Sequence, residues 1–353
     1  MSKISQNGAL LSVFSEQFKD YAVATCQTEV SADGFDVIRL GNSRISITVL
    51  PELGGKIYEI TDLKTGRDWL WKNPHISLRH PSPGMDYERE LDSGGWDEIL
   101  FSVKPCTLEL PGKHSFSIGD HGIVVEKAWR NVESGINGAG EAVCELLAEG
   151  QSPGFRLQRR IVLDAEQARF EIEYTLNNTG STSWPWLWCA HPLLAVEKGM
   201  RIHLQEGQQI RPVQGDVTDS VSDQTWPGLR MPDGEITDLA GVFESSGDSD
   251  GFCQKLYVQS ASEIGLITAD GAESLYIQYD PRSLPWLGLW INNNAWSGCD
   301  SAPYLNLGIE PATTAHDSLA DAVRFAEADI LGPGESKTWF LTVSLRNGIK
   351  TND

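Results

Sequence analysis

The sequence is short of basic residues. Its 28 Lys and Arg stand against 49 Asp and Glu, which gives a formal net charge of −21. Nucleic acids and anionic membranes are bound through clusters of Lys and Arg, so we expect neither as a partner. The same imbalance disfavours a phosphorylated ligand. The charge therefore indicates a neutral small molecule as the partner of this protein.

Long hydrophobic runs are also missing. No 18 consecutive apolar residues occur in the 353-residue chain, so no transmembrane helix is expected. The apolar run at residues 9–14 is too short for a secretion signal, and no small-residue cleavage site follows it. Six cysteines are scattered singly without a CxxC pair, which is typical neither of a disulfide framework nor of a zinc site. These features predict a reduced, cytoplasmic protein. As a separate expectation, the protein is a monomer or a homodimer.

Helical periodicity is scarce, because only Ser15–Ala24 and Asp317–Ala328 have a compatible pattern. The 34 Gly and 17 Pro also argue against a helical bundle. Short alternating segments between Gly, Pro, Asn and Asp instead predict many strands and an all-β antiparallel sandwich or barrel with few short helices. The predicted strands are Phe35–Leu40, Arg44–Leu50, Leu157–Leu163, Phe170–Leu176, Arg201–Leu204, Leu256–Val258, Ile264–Thr268, Leu275–Tyr279, Gly288–Ile291 and Thr338–Leu345.

No linker or internal repeat divides the chain. The loop-sized stretches Asn73–Gly84 and Glu244–Gly251 have sequence of the same character on both sides. We therefore predict one large β domain over residues 31–348, with residues 1–30 as an N-terminal extension that packs on it.

The segment Gly94-Gly95-Trp96-Asp97-Glu98 is the first candidate for binding chemistry. A glycine pair allows close approach of the backbone, an indole can stack on a pyranose ring, and carboxylates accept hydrogen bonds from hydroxyl groups. This combination is compatible with a sugar site. A tight turn with a core Trp and two solvated acids explains the same residues equally well.

Two histidines are further candidates. His121 lies in Asp120-His121-Gly122, where a turn residue is the more economical explanation. His191 precedes a proline, which holds it extended at the end of a strand-like segment. The tryptophans at positions 184, 186 and 188 share one face of that segment, and such a ladder is usually core packing.

Glu310 ends the apolar run Tyr304–Ile309. Alternation along this run places Glu310 on the face opposite its leucines and isoleucine. An ordinary carboxylate at the edge of a sheet would show the same pattern, so this residue alone does not define a site.

Taken in order, these motifs resemble the landmarks of the galactose mutarotase-like (aldose 1-epimerase) family. The resemblance covers roughly Val37 to Leu345. Its motifs are Leu50–Ile57, Gly94–Glu98, Asp120-His121-Gly122 with Trp129, the strand Phe170–Leu176 with its Asn-Asn-Thr-Gly turn, Ala190-His191-Pro192, Gly308-Ile309-Glu310-Pro311 and Leu331–Glu335.

The resemblance implies a single large β-supersandwich with an open sugar-binding cleft, and an isomerase that interconverts the α and β anomers of a free aldose. The family's acid falls on His191 and its base on Glu310, while His121 would hold the ring oxygen or a hydroxyl group. We expect His191 to titrate near neutral pH and burial to raise the pKa of Glu310. No metal, nucleotide or other cofactor is required for this reaction.

The other sugar contacts are assigned with departures from the family pattern. Trp96, Asp97 and Glu98 occupy much of the place where members commonly have a sugar-gripping arginine. Arg79 and Arg89 are the candidate substitutes, and Arg89 is chosen. For the family's loop aspartate we choose Asp250 over Asp248. Where many members have an aromatic residue after His-Pro, this chain has Leu193-Leu194.

Three alternatives stay open. A carbohydrate-binding β-sandwich without turnover explains the same aromatic and acidic residues. A glycoside hydrolase would pair Glu98 or Asp97 with Glu310, at a separation of about 5–9.5 Å. A phosphosugar epimerase would need an arginine cluster such as Arg156, Arg159 and Arg160 in the cleft, although their strand position favours exposure to solvent.

Overall fold

Two large antiparallel sheets dominate the architecture. The computed structural model describes residues 23–82, 85–110, 114–217, 224–244, 251–298 and 302–348. These residues contain 24 strands, numbered in chain order. The strands are β1 (Thr25–Val30), β2 (Asp36–Gly41), β3 (Ile45–Leu50), β4 (Lys56–Asp62), β5 (Trp96–Leu100), β6 (Cys106–Leu110), β7 (His114–Ile118), β8 (Arg130–Ile136), β9 (Ala142–Gln151), β10 (Gly154–Leu163), β11 (Arg169–Asn178), β12 (Trp184–Trp186), β13 (Trp188–Ala195), β14 (Arg201–His203), β15 (Ile210–Gly215), β16 (Gly228–Arg230), β17 (Ile236–Asp238), β18 (Phe252–Gln259), β19 (Glu263–Ile267), β20 (Glu273–Tyr279), β21 (Trp286–Asn293), β22 (Leu305–Ala312), β23 (Asp329–Leu331) and β24 (Ser336–Asn347).

Ten strands form one sheet in the order β1-β2-β3-β4-β5-β13-β22-β21-β18-β15. Eight strands form the other in the order β14-β19-β20-β24-β11-β10-β9-β8, and three strand pairs (β6 with β7, β12 with β23, β16 with β17) complete the set. Neighbouring strands of the large sheet come from distant parts of the sequence. Residues near positions 97, 191, 255 and 310 are therefore brought close together.

The two sheets pack on each other through a shared apolar core. Buried and partly exposed residues alternate along β10 and β11, as expected for strands with one face on a core. The ladder Trp184, Trp186 and Trp188 is buried in this core beside Trp339, so its interpretation as packing is confirmed. The predicted antiparallel all-β sandwich is confirmed.

The strand predictions are confirmed with small shifts at the ends. The predicted helix over residues 317–328 is shorter: α1 spans Leu319–Arg324, beginning where the Ser318 hydroxyl accepts a hydrogen bond from the Asp321 amide. A five-residue π-helical turn, Tyr87–Leu91, was not predicted. The predicted helix Ser15–Ala24 lies almost entirely outside the described residues. Of the predicted N-terminal extension, residues 25–30 form β1 at the edge of the ten-stranded sheet.

None of the helices in the described ranges is both long and apolar enough to cross a membrane. The five cysteines described, at positions 26, 106, 144, 189 and 253, are all free thiols.

Candidate functional site

A cleft lies on the face of the ten-stranded sheet that points away from the second sheet. Alternation along β22 explains its position, because Leu307 and Ile309 enter the core while Asn306, Gly308 and Glu310 face the other way. The space in and above the cleft is about 670 Å³, a volume that includes the solvent at its open mouth.

His191 and Glu310 lie side by side at the base of this cleft. In the pairing of β13 with β22, Cys189 is opposite Ala312 and Leu193 is opposite Gly308, so the register brings His191 level with Glu310. Nε2 of His191 is 3.8 Å from Oε1 of Glu310. Both side chains are more than nine-tenths buried. The structure therefore brings together the two residues that the resemblance assigns as acid and base.

Lys255 is the third member of this group, and the sequence analysis did not select it. Its Nζ contacts Oε2 of Glu310, and the lysine side chain is 6% exposed. Lys255 lies on β18, separated from β22 by the intervening strand β21. Beyond it, the Tyr257 hydroxyl donates a 2.7 Å hydrogen bond to Asp317. A charged network therefore extends from Glu310 across the cleft floor.

Burial and neighbouring charges shift the pKa values of Glu310 and His191 in opposite directions. Burial raises the pKa of Glu310 above its ordinary value although Lys255 opposes the shift, so the predicted direction agrees with the structure. Burial, together with the positive charges of His121, Lys255 and Lys56, holds the pKa of His191 well below 6.5. The expectation that His191 titrates near neutral pH is therefore wrong: its imidazole is neutral at pH 7 because burial disfavours the cation and the positive neighbours add to that effect.

Lys255 and Asp317 are charged at neutral pH. Burial disfavours the ammonium group, but Glu310 and Asp317 raise the pKa of Lys255. Burial likewise disfavours the Asp317 carboxylate, but Lys255, Tyr257 and Lys104 lower its pKa. The cleft floor thus holds a lysine cation between two carboxylates.

His121 lines the same cleft and contacts two neighbouring rings. It stacks on Tyr87, with ring centroids 3.7 Å apart, and meets His191 edge to face at 5.0 Å. Its backbone is left-handed, with φ at +57°, and the following Gly122 is also left-handed. A Cβ at Gly122 would lie 2.4 Å from the Leu100 carbonyl oxygen, so the glycine permits this close turn. The turn thereby directs His121 toward the proposed acid–base pair.

Aromatic side chains form one wall of the cleft. Trp290 on β21 meets Trp296 edge to face at 5.3 Å, and Trp296 meets Tyr304 in the same way at 5.8 Å. Asn292 fastens the loop that carries Trp296, because its side chain bonds both the backbone N–H and the carbonyl of that residue. This wall provides the indole surfaces that the sequence analysis had expected from Trp96.

Trp96 and Glu98 do not line the cleft, contrary to expectation. Both are 0% exposed and point into the core between the sheets, since alternate residues of β5 face the same way. Glu98 accepts hydrogen bonds there from Arg159 and the Tyr174 hydroxyl. Its role is structural, so the glycoside hydrolase alternative that pairs Glu98 with Glu310 fails.

Asp97 points to the cleft face and is opposite His191 in the strand register, but it is covered. Its Oδ2 accepts hydrogen bonds from Lys56 Nζ at 2.6 Å and from the Tyr87 hydroxyl at 2.8 Å. Asp97 therefore supports Tyr87, which in turn stacks on His121, and does not itself line the cleft. Asp97 is therefore connected to the cleft only through Tyr87 and His121, and the direct position expected for it in the cleft is not found.

The arginines expected near the sugar are elsewhere. Arg89 is 64% exposed and lies 3.9 Å from Asp86 at the π-helical turn. Arg159 is buried in the core, and Arg156 and Arg160 pair with glutamates on the outer face of the eight-stranded sheet. Among the described residues no arginine lines the cleft, so an arginine cluster for a phosphosugar is not present there. Asp250 lies outside the described residues.

Several buried polar atoms that face the cleft lack a hydrogen-bond partner among the described residues. They are Oε1 of Glu310, Nδ1 of His121, Nδ1 of His191 and Oδ1 of Asn306. Buried polar atoms are normally paired, so unpaired ones grouped at a cleft favour a polar ligand. No three His, Cys, Asp or Glu side chains of the described ranges are grouped so as to hold a metal ion.

Lys255, Trp290, Trp296 and Tyr304 were missed by the sequence analysis because no short motif marks them. Their position depends on the strand order β22-β21-β18, which a sequence does not reveal directly. Alternation along Trp96-Asp97-Glu98 was a usable signal, since it separates Asp97 from its two neighbours.

Comparison with known proteins relates this chain to a family and to a group of solved structures. A family model described as "Domain of unknown function (DUF4432)" matches residues 32–345. No curated protein sequence matches the chain significantly.

Solved structures share the fold at low sequence identity. A provisionally assigned aldose 1-epimerase from Klebsiella pneumoniae is 17% identical, with a TM-score of 0.70 over 94% of this chain and 86% of that one. A galactose mutarotase-like protein from Clostridium acetobutylicum is 15% identical, with a TM-score of 0.65 over 92% and 99%. Another from Lactobacillus casei is 14% identical, with a TM-score of 0.57 over 88% and 100%. These likenesses confirm the predicted galactose mutarotase-like fold.

Proposed function

The chain belongs to the DUF4432 family and has a galactose mutarotase-like fold, and from this premise we propose that it is an aldose 1-epimerase-like isomerase. It interconverts the α and β anomers of a neutral aldose. The observation that carries the proposal is the position of His191 Nε2, 3.8 Å from Glu310 Oε1, at the base of an aromatic-walled cleft.

Ring opening needs a base and a hydrogen-bond donor that act on neighbouring oxygens. In our proposal, Oε1 of Glu310 removes the proton from the anomeric hydroxyl while the bond from C1 to the ring oxygen breaks. Glu310 holds that proton as the aldehyde forms, and the ring oxygen leaves as an alkoxide that is stabilised by a hydrogen bond from a neighbouring donor. Rotation about the C1–C2 bond then exposes the other face of the aldehyde, and the reverse transfers close the ring. A positioned acid or base of this kind typically contributes about 10²–10⁴-fold.

His191 acts in this scheme as a neutral donor. Its pKa lies well below 6.5, so the imidazolium expected from the resemblance is scarce at neutral pH. A neutral imidazole can still donate a hydrogen bond to an oxygen on which negative charge develops. Nε2 is the ring nitrogen nearer to Glu310, so it is the atom that we assign to the ring oxygen. His121 holds a hydroxyl group of the same sugar from the neighbouring position.

The lining of the cleft supports a neutral ligand. Five carboxylates and two lysines line it among the described residues, so an anionic sugar would enter a negative environment. Trp290 and Trp296 offer indole faces on which the C–H groups of a sugar ring can pack. A cytoplasmic location remains part of the proposal, in keeping with the scattered cysteines.

The test is anomer exchange measured by NMR saturation transfer across a panel of neutral aldoses. Wild type should accelerate exchange of at least one sugar, and Glu310→Gln should lose that acceleration while it still binds the sugar. Glu149→Gln is the matched control, because Glu149 is an exposed carboxylate paired with Arg156 far from the cleft. Binding without any acceleration by wild type would contradict the isomerase and leave the carbohydrate-binding alternative.

A further inference from the structure

We infer that Lys255 is a positioning residue for the proposed isomerase: it keeps Glu310 ionised and leaves one carboxylate oxygen available to the sugar. This inference rests on the proposed function of Glu310 as the base. Lys255 is not among the residues that the resemblance assigns, and it reaches the site from a strand that is not adjacent to β22.

The two oxygens of Glu310 have different surroundings. Oε2 contacts the Lys255 ammonium group, whereas Oε1 accepts no hydrogen bond from the described residues and faces His191. A base needs a free lone pair directed at the proton that it removes. Lys255 therefore binds Oε2, which takes no part in the proposed reaction, and leaves Oε1 directed toward the cleft.

Gly288 leaves the path from Lys255 to Glu310 open. In the strand register, Glu310 is opposite Gly288 on β21, and Gly288 is opposite Tyr257 on β18. Lys255, two residues before Tyr257, thus reaches Glu310 diagonally across the glycine. A Cβ at Gly288 would lie 3.1 Å from Oε2 of Glu310 and 3.2 Å from the Tyr257 ring. A side chain at this position would crowd the contact between the ammonium and the carboxylate.

A second carboxylate keeps Lys255 charged. Asp317 accepts a hydrogen bond from Tyr257 at 2.7 Å and lies 3.4 Å from Lys104 Nζ, and its negative charge favours the Lys255 ammonium. The titratable groups that act on Glu310 or lie beside it belong to several elements. They are Lys255 and Tyr257 on β18, His191 and Cys189 on β13, Asp317 after β22, and His121 in the loop after β7.

Without the lysine, a smaller fraction of Glu310 would be ionised at neutral pH, so it would be a poorer base. A carboxylate that is 1% exposed takes up a proton readily, and the nearest other candidate cation, His191, is neutral there. An opposite charge in contact typically lowers a carboxyl pKa by about 1–3 units. Lys255 supplies this charge from a position that does not block Oε1.

Lys255→Gln tests the inference, because it retains a hydrogen-bond donor for Oε2 and removes only the charge. The Glu310 carboxyl band is isolated by difference infrared spectroscopy against Glu310→Gln, a measurement that requires no turnover. We expect Glu310 in Lys255→Gln to titrate at a pH about 1–3 units higher than in wild type. Lys255→Arg, which keeps the charge, should titrate close to wild type. If Lys255→Gln does not fold, Lys255→Met gives the same expectation.

Anomer exchange provides the second readout. In Lys255→Gln the rise of kcat/KM with pH should move up with the Glu310 titration, so the loss grows toward about 10–1000-fold at low pH and is smaller at pH 8.5. A merely structural role of Lys255 would lower the rate equally at every pH, and that result overturns the inference. A Glu310 titration that does not respond to Lys255→Gln also overturns it, even if wild type is an active isomerase. If no aldose is turned over but the Glu310 titration shifts, the proposed function fails while the effect of Lys255 on the Glu310 charge stands.

Discussion

His191 lies level with Glu310 on the adjacent strand, with its Nε2 3.8 Å from the carboxylate. Burial raises the pKa of Glu310, and burial with positive neighbours lowers that of His191. Glu310 therefore ionises at a higher pH than an ordinary glutamate, while the imidazole of His191 is neutral at pH 7. This pair leads to a specific pH dependence.

We expect kcat/KM for anomer exchange to rise with pH as Glu310 loses its proton and then to stay level through pH 8. The rise follows from the sign of the Glu310 shift, because a raised carboxyl pKa delays ionisation to higher pH. No fall is expected between pH 6 and 8, since the neutral His191 has no proton to lose there. Saturation-transfer rates from pH 5 to 8.5 provide the measurement. A bell-shaped profile with a descending limb near pH 6.5 would show that the imidazolium is required.

Trp290→Ala and Trp296→Ala should weaken sugar binding while the fold is retained. Aromatic contacts of this kind are worth about 0.5–1.5 kcal/mol, so each change should raise KM by about 2–10-fold. Trp96→Phe is the contrasting variant, since Trp96 is 0% exposed in the core. It should lower the free energy of unfolding by about 1–3 kcal/mol and leave KM unchanged. Steady-state kinetics and urea denaturation separate the two effects; a KM change in Trp96→Phe alone would contradict the placement of the sugar.

Gly308→Ala should disturb Glu310 without changing any charge. A Cβ at this position would lie 3.0 Å from Oε1 of Glu310 and 3.0 Å from Cβ of Trp290, so the carboxylate or the indole must move. A displaced catalytic group typically costs on the order of 10–100-fold in kcat. Gly138→Ala is the control, because nothing lies within 4 Å of its added Cβ. Equal kcat values for the two variants would argue against Oε1 as the reacting oxygen.

Substitution of either partner in the buried pair Glu98–Arg159 should lower the free energy of unfolding, but by different amounts. Glu98→Gln leaves a buried guanidinium that cannot lose its charge, which should cost about 3–5 kcal/mol of unfolding free energy. Arg159→Met should cost less, because Glu98 already has a pKa of about 7 through burial and can take up a proton. The raised pKa means that the folded state holds this proton and the unfolded state does not. Stability of Arg159→Met should therefore fall as pH rises from 5 to 8.

Urea denaturation at pH 5 and pH 8 measures these differences. Glu149→Gln serves as the comparison, since its pair with Arg156 is exposed and such pairs contribute about 0–1 kcal/mol. Similar losses for Glu98→Gln and Glu149→Gln would contradict a structural role for the buried pair.

Much of the fold could be predicted because alternation reports directly on which face of a strand is buried. The segment Phe170–Leu176 alternates in the sequence, and β11 shows that alternation in its burial. Glu310 was placed correctly on the face opposite Leu307 and Ile309 for the same reason. Motif order then identified the two residues that the structure brings to 3.8 Å.

The rest of the site depends on contacts between strands that are distant in the sequence. Lys255 and Glu310 are on strands separated by β21. The lysine reaches the carboxylate because the residue of β21 opposite Glu310 is a glycine, Gly288. The low pKa of His191 depends on burial and on three positive neighbours from other elements. These surroundings form only when the sheet is assembled, so the sequence alone could not show that His191 is neutral at pH 7.

The order β5-β13-β22-β21-β18 also has a thermodynamic consequence. The cleft is complete only when these strands are paired, so a ligand that occupies it binds the native state and not the unfolded chain. By mass action, a sugar present at 100 times its Kd should add about 2.7 kcal/mol to the free energy of unfolding. A rise in the melting temperature of the protein therefore identifies the sugars that bind in the cleft.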